Sequence, residues 1–312
     1  MDIQTSAGVP DESVRTGAGR RRWGAWGNYL FVAPGVLFMV CFLVFPIAYN
    51  LLLSFQNVTL MNLRGEHEFV GWSNYAVMFK DEVFRISFQN SAVFTVGSIL
   101  FQFCIGFAFA LFFNRRFPGR DLMRSLMLLA WMMPIVISAT LFKWMLAGDN
   151  GIVNHLLQSV GLLDRPRFWL TEEHTALGGT MAANIWIGIP FNMVILLSGL
   201  QALPDHLYEA ARIDGAGRFR QFANITLPLL RPTILVLLML GVIYTFKVFD
   251  LIFIMTGGGP VNASTVFPLY AYRLSFTNFD FSLGATVASF MFILLFVLAG
   301  VYLWMMRKEE RL

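Results

Sequence analysis

Six long apolar runs separated by short polar segments lay out this chain, at about Tyr29 to Phe55, Ser91 to Phe113, Leu122 to Ala147, Ala176 to Leu200, Thr233 to Met255 and Leu283 to Met306. As helices rising ~1.5 Å per residue, each is long enough to cross ~30 Å of hydrocarbon. The pattern predicts an all-α polytopic membrane protein with six transmembrane helices. It divides the chain into an N-terminal tail over 1–27, a six-helix domain over 28–306 carrying a polar loop at 203–232, and a short C-terminal tail over 307–312. The first run is too long for the core of a signal peptide, and no small-residue cleavage pattern follows, so it is expected to stay as an anchor.

The loop from Leu203 to Pro232, LPDHLYEAARIDGAGRFRQFANITLPLLRP, differs from its surroundings in being amphipathic and charged. Pro204 suits a first helical turn, and Asp205 and Glu209 lie toward the positive end of the helix dipole. These features predict a helix through Arg212, a tight turn in which Gly215 and Gly217 take positive φ, and a second helix from Arg218 to Thr226 that ends before Pro228. Leu207, Ala210 and Ala211 then form a small apolar face, bordered by Glu209 and Arg212, that a partner's groove accepts closely.

Composition agrees with the pattern. Hydrophobic residues make up 57% of the chain and charged residues only 13%, which excludes an ordinary soluble domain. The net charge of +4 does not point to nucleic acid, because the basic residues gather at the ends of apolar runs. With both termini placed in the cytoplasm, fifteen of the 23 Lys and Arg residues fall inside and six outside, leaving Lys143 and Lys247 within spans. The positive-inside rule therefore puts both termini and the 203–232 loop in the cytoplasm.

Candidate chemistry is sparse. Cys41 and Cys104 lie inside apolar runs and read as buried hydrophobes, without a disulfide or metal role. The four histidines sit in separate loops, so neither a metal site nor a nucleophile–histidine pair is expected. Thr256-Gly-Gly-Gly-Pro260 reads as a helix stop and tight turn; no Gly-Lys-Ser/Thr ending makes it a phosphate loop. On the outer side, Gly71-Trp-Ser-Asn-Tyr75 and Phe79 to Phe88 predict a short interfacial helix, suited to an aromatic surface anchor or to a partner contact.

Within the spans, ionisable groups cost enough to demand pairing or a polar path. Lys247 and Asp250 are three residues apart, so on one helix they share a face and can pair. Lys143 lies near the outer end of its run, where it can snorkel. The fourth run holds Asn184, Trp186, Gly188, Pro190, Phe191 and Asn192, an irregular and polar core. Such a stretch fits either close helix packing or the wall of a cavity, where aromatic faces beside amides suit a sugar ring.

Glu209-Ala210-Ala211, Asp214-Gly215-Ala216 and Leu227-Pro228 resemble the EAA loop of permease subunits in binding-protein-dependent ABC importers. From the first run to Met306 the chain is similar to the sugar-type permeases of that family, with further likeness at Trp186 to Phe191 and at Thr256 to Pro260. The resemblance implies a type I ABC importer permease fold in its minimal six-helix form. It also implies an external solute-binding protein, a second permease subunit and two ATPase subunits that hold ATP and Mg, with no cofactor or catalysis in this chain. Glu209, Ala210, Ala211, Asp214, Gly215 and Ala216 would then couple the chain to the ATPases. Carrying over the contact positions of a maltose-carrying family member gives a solute path at Ile187, Gly188, Phe191, Gly241, Thr245 and Val248, to which Asn192 and Asp250 add polar groups. Gly241, Val248 and Phe191 depart from that member's residues. The expected function is import of a carbohydrate or related polyol. The alternative in another class is an ion-coupled secondary transporter using Asp250 and Lys247; an intramembrane enzyme finds no catalytic constellation.

Overall fold

The computed structural model describes residues 21–309, with side chains placed for 29–307. The tails expected over 1–27 and 307–312 lie mostly outside that range, although helix already begins at Arg21 and the last helix reaches Glu309. Helix α1 (Arg21–Met39) leads through a π-helical turn at Val40–Val44 into α2 (Phe45–Leu53). Pro46 has no N–H to give and its ring crowds the Phe42 carbonyl four residues back, so the widened turn opens the ladder where the proline needs it. Tyr29–Leu53 is apolar enough to cross a membrane, and its most apolar window is 0% buried. A first compact unit of the chain ends at Tyr49, and Asn50 opens the second.

In the second unit a short antiparallel ribbon, β1 (Gln56–Asn57) against β2 (Glu68–Phe69), pairs Gln56 with Phe69 and leads to α3 (Ser73–Lys80). Asn74 Nδ2 donates to the carbonyls of Ser54 (2.9 Å) and Gln56 (2.8 Å), and the Tyr75 hydroxyl lies 2.9 Å from Ser54 Oγ. The expected short helix is present, but its Asn-Tyr pair is turned inward, where it ties the ribbon to the bundle; Trp72 and Phe79 are exposed rings. Helix α4 (Glu82–Asn114) starts at Asp81, whose carboxylate accepts from the Val83 N–H at 2.6 Å.

Helices α5 (Arg120–Met132) and α6 (Ile135–Met145) are bent by 94° from one another. The third apolar run is therefore two helices where one was expected. Pro134 causes the break: it supplies no N–H and drives Met133 to an extended ψ of 136°. Helix α7 (Ile152–Ser159) follows, then α8 (Glu173–Gln201), which stays continuous through Pro190.

Helices α9 (Asp205–Ile213) and α10 (Arg218–Gln221) form the polar loop, and a second π turn at Phe222–Thr226 runs directly into α11 (Leu227–Phe246). The second loop helix thus does not end before Pro228, as expected from that residue. The widened turn includes Asn224, four residues back, and lets the chain pass the proline as helix, just as at Pro46.

Helix α11 stops at Phe246, Phe249 leaves helical geometry at φ −120°, and α12 (Asp250–Met255) starts afresh. Lys247 and Asp250 consequently do not share a helix face, and no ion pair joins them among the described residues. The break lets Leu251 and Ile252, both fully buried, pack into the cluster that holds α6, where Lys143 Nζ donates to the Ile254 carbonyl at 3.0 Å. Helix α13 (Phe267–Tyr272), a third π turn at Arg273–Thr277 and α14 (Phe281–Glu309) complete the chain.

Helices α4 and α8 run side by side in the same direction at the centre of this unit. Gly97 faces Met181, Gly188 faces Gln102, and Gly106 faces Asn192. One apolar cluster, including Phe94, Ala139, Ala183 and Leu251, surrounds their first halves. Another, including Ala110, Phe113, Leu196, Leu200 and Leu230, surrounds their second halves. Helix α6 joins the first cluster, while Met127 of α5 packs on the second. The bent pair therefore travels the length of α4 and α8, and counted as one it brings the described segments long and apolar enough to cross a membrane to six.

Candidate functional site

The polar loop is a closed, braced projection. Gly215 takes φ +76°, its N–H donates to the Arg212 carbonyl at 3.1 Å, and the Ala216 N–H donates to the Ala211 carbonyl at 2.8 Å. This pair of bonds ends α9 in a Schellman motif, which needs a residue free of Cβ at the left-handed position. Gly217, expected at positive φ, instead caps α10 in an extended conformation at φ −66°, ψ 164°. Gln221 Nε2 donates to the Ala216 carbonyl at 2.8 Å, holding the turn against α10. The Tyr208 hydroxyl lies 2.9 Å from Thr226 Oγ1, fastening α9 to the entrance of α11.

Glu209, Ala210, Asp214 and Gly215 are exposed on this projection, and Ala211 and Ala216 are half-buried. Leu207, expected to face a partner, is half-buried as well. The large exposed apolar groups are Ile213 at 87% and Phe219 at 83%, one on either side of the Gly215 turn. Sequence reasoning missed both; the signal was a bulky apolar residue at each edge of a charged, glycine-bearing loop.

The expected solute-path residues fall into two groups. Gly188 lies so close to α4 that a Cβ there would overlap the Gln102 carboxamide, whose Nε2 donates to the Asn184 carbonyl at 2.9 Å. Asn192 is buried with its Nδ2 on the Gly188 carbonyl at 2.9 Å, and Ile187 and Val248 pack against the first core cluster. Gly241 faces Ile99, and Thr245 is buried. These positions build the α4–α8–α11 contact. Gln102, a lone amide in an apolar run, was not weighed from the sequence, although that rarity marks it.

Phe191 belongs to the second group. Its ring lies 5.6 Å from Trp131 and 6.2 Å from Tyr244, and the Lys247 ammonium sits 5.0 Å from the Tyr244 ring centroid. Trp131, Tyr244, Lys247 and Asp250 are exposed. An aromatic strip therefore runs from α5 across α8 to α11 and ends on a cation, with a carboxylate just beyond the helix break. Rings present faces to sugar C–H groups, and the cation–π contact holds the ammonium over the strip.

At the same end of the bundle as Asp250, the Thr256–Pro260 stop is confirmed by Gly257 and Gly258 at φ +59° and +88°. Arg273 fixes the loop that follows, donating to Asn262 Oδ1 at 2.7 Å, to Thr265 Oγ1 at 3.3 Å and to the Gly257 carbonyl. Cys41 and Cys104, expected to be buried, are both exposed, as an apolar side chain directed at hydrocarbon can be.

The pattern of the binding-protein-dependent transport system inner membrane components matches residues 102–309. The trehalose/maltose transport system permease protein MalF of Thermococcus litoralis is 34% identical over 88% of this chain and 92% of that protein. The diacetylchitobiose uptake system permease protein DasB of Streptomyces coelicolor is 32% identical over 99% of this chain and 95% of that one. Among solved structures, a chain of a bacterial ABC transporter involved in import of the acidic polysaccharide alginate superposes with a TM-score of 0.78, at 25% identity over 92% of this chain and 96% of its own. With its apolar crossings, its braced EAA-type projection and these similarities, the chain belongs to the inner membrane components of binding-protein-dependent transport systems.

Proposed function

We propose that this chain is one permease subunit of an ABC importer that brings a carbohydrate or related polyol into the cytoplasm, driven by ATP and Mg bound on separate ATPase subunits. The observation that carries the reading is the α9–α10 projection, which offers Glu209, Ala210, Ile213 and Phe219 outward while Tyr208 holds it to α11. A force on such a knob is delivered to α11, the helix that bears Gly241, Tyr244 and Thr245. Closing ATPase subunits would seat Ile213 and Phe219 in a cleft and shift α11 against α8, changing access to the strip of Phe191, Tyr244 and Lys247. Asp214, Gly215, Ala211 and Ala216 keep the knob's shape.

Several features support the orientation, the partners and the solute class. The excess of Lys and Arg on the side of the knob favours a cytoplasmic knob and cytoplasmic termini. A second permease and an external binding protein follow from the family's transport mode. Similar proteins are named for trehalose and maltose, for diacetylchitobiose and for sulfoquinovosyl glycerol, all carbohydrate-bearing solutes. The experiment is ATP hydrolysis by the complex that co-purifies with this chain, measured with candidate binding proteins loaded from a panel of sugars. Stimulation by one loaded protein, lost in Glu209→Lys, supports the reading. Uptake that follows an ion gradient with no co-purifying ATPase would overturn it.

A further inference from the structure

Helix α7 (Ile152–Ser159) lies in the loop that follows α6, and it is built with two unlike faces. Its inner face is pinned. Asn154, 2% exposed, donates through Nδ2 to the carbonyls of Gly148 (2.7 Å) and Arg167 (2.9 Å), while its Oδ1 accepts from Trp169 Nε1 at 2.8 Å. Gly151, just before the helix, packs on the backbone of Met145 and Ala147, leaving no room for a Cβ. The start of α7 is thus seated directly on the last turn of α6.

The outer face is apolar where a loop helix in water is polar. Ile152, Leu156 and Val160 recur every four residues at 52%, 59% and 67% exposure, and Leu162 follows, exposed as well. His155 and Ser159 are also exposed and flank this stripe on one edge only. The stripe continues a surface already apolar: on α6, Ile137, Leu141 and Trp144 are exposed at helical spacing, in a helix pair that together is apolar enough to cross a membrane. Trp144, at the end of that crossing and beside the start of α7, is the residue type that marks the boundary between hydrocarbon and headgroups.

We propose that α7 lies in the plane of the membrane surface, on the side opposite the Asp205–Ile213 knob, with Ile152, Leu156 and Val160 inserted among the lipid acyl chains and His155 and Ser159 toward the headgroups. A helix with one apolar edge, one polar edge and a rigid mount meets the requirements of interfacial insertion. Because the start of α7 is seated on the end of α6, such an insertion adds a lipid-side hold to the outer end of α6, which packs on its other side against α8 and α12. The proposal concerns the lipid surface alone and stands whether or not the importer reading holds.

The test places single cysteines at Ile152, Leu156, Val160, His155 and Ser159, in the full chain with Cys41→Ser and Cys104→Ser, purified with its co-purifying subunits. Each is labelled with an environment-sensitive fluorophore and reconstituted in nanodiscs of phosphatidylethanolamine and phosphatidylglycerol. Doxyl groups on the upper acyl chain should quench the probes at 152, 156 and 160 several-fold more than those at 155 and 159. In nanodiscs without doxyl lipid, a water-soluble quencher should reach the probes at 155 and 159 more than those at 152, 156 and 160. Equal quenching at all five sites by the water-soluble reagent in nanodiscs would overturn the proposal. So would protection of 152, 156 and 160 from the doxyl lipid as well as from the water-soluble reagent, which places a protein subunit on the stripe, or protection that arises only when a loaded binding protein is added.

Discussion

The Tyr208 hydroxyl and Thr226 Oγ1 lie 2.9 Å apart, joining the exposed knob of α9 to the π turn from which α11 rises. Thr226 is buried and Tyr208 half-buried, so the bond is partly screened from water. Tyr208→Phe keeps the ring and removes the bond, at a cost of about 0.5–1.5 kcal/mol for a neutral pair. The expected outcome is an assembled complex with near-normal basal ATP hydrolysis but weaker transport per ATP. Uptake and hydrolysis measured on the same proteoliposomes check it, and an unchanged ratio would assign the bond to stability alone.

Gly215 and Gly217 separate conformation from spacing. Alanine at 215 must adopt the left-handed region at a cost of about 1–2 kcal/mol, whereas Gly217 lies in extended backbone with open space around it. Gly215→Ala should weaken retention of ATPase subunits during purification and lower stimulated hydrolysis, and Gly217→Ala should leave both close to wild type. Quantifying ATPase subunits in the co-purified complex distinguishes the two variants.

The sequence showed the crossings by their length and the knob by its charge, because both are local properties. It did not show direction changes inside apolar runs. Met133 and Pro134 sit within a stretch that is hydrophobic throughout, so hydropathy carries no trace of the 94° bend; only the proline hinted at it. The stop between Phe246 and Asp250 has neither Pro nor Gly to announce it, and beyond it Leu251 and Ile252 are fully buried in the cluster that holds α6. Pro228 misled in the opposite sense, since a π turn can absorb a proline that sequence rules treat as an end. At the candidate solute site, likeness to a relative located the α8–α11 region, yet Trp131, Gln102 and Tyr244 come into play only through packing between helices.

Gly188 and Gln102 give a steric pair that a second substitution should relieve. A methyl group at 188 overlaps the Gln102 carboxamide, so Gly188→Ala must push α4 from α8 or displace the amide from the Asn184 carbonyl. Overpacking of this kind costs about 1–3 kcal/mol. Gln102→Ala clears the volume, so the double variant should be more heat-stable than Gly188→Ala alone. A thermal-shift measurement on the detergent-solubilised complex, read as a double-mutant cycle, should give a coupling of opposite sign to the single losses.

If the aromatic strip receives solute, Phe191 and Tyr244 act together while Lys247 orients polar groups. A ring face is worth about 0.5–1.5 kcal/mol beyond its buried area, or about 2–10-fold in affinity. Phe191→Leu and Tyr244→Leu should each raise the half-saturating concentration of loaded binding protein for uptake in that range, with basal hydrolysis unchanged. Substituting Phe253, which stacks on Phe249 at 5.1 Å outside the strip, provides the control.

Tyr270 and Asp81 tie α13 to the cap of α4 across the chain, with the phenol donating to Asp81 Oδ2 at 2.7 Å. Burial, reinforced by that hydrogen bond and by the negative charge of Asp81 and Asp280, raises the Tyr270 pKa above its ordinary value. A pKa raised on folding means the native state binds the proton more tightly than the unfolded chain. The contribution is therefore complete below about pH 10, the usual phenol value, and is lost as pH rises through the higher native value. Tyr270→Phe removes a bond to a charged acceptor, worth about 1.5–3 kcal/mol, while Asp81 keeps the Val83 N–H through its other oxygen. The variant should melt earlier than wild type at pH 8, and the gap should narrow above pH 10, where the wild type alone loses the Tyr270 contribution. Melting curves of both complexes between pH 8 and 11 measure this, and a gap that stays constant to pH 11 would show that the phenol's proton is not what holds α13 to α4.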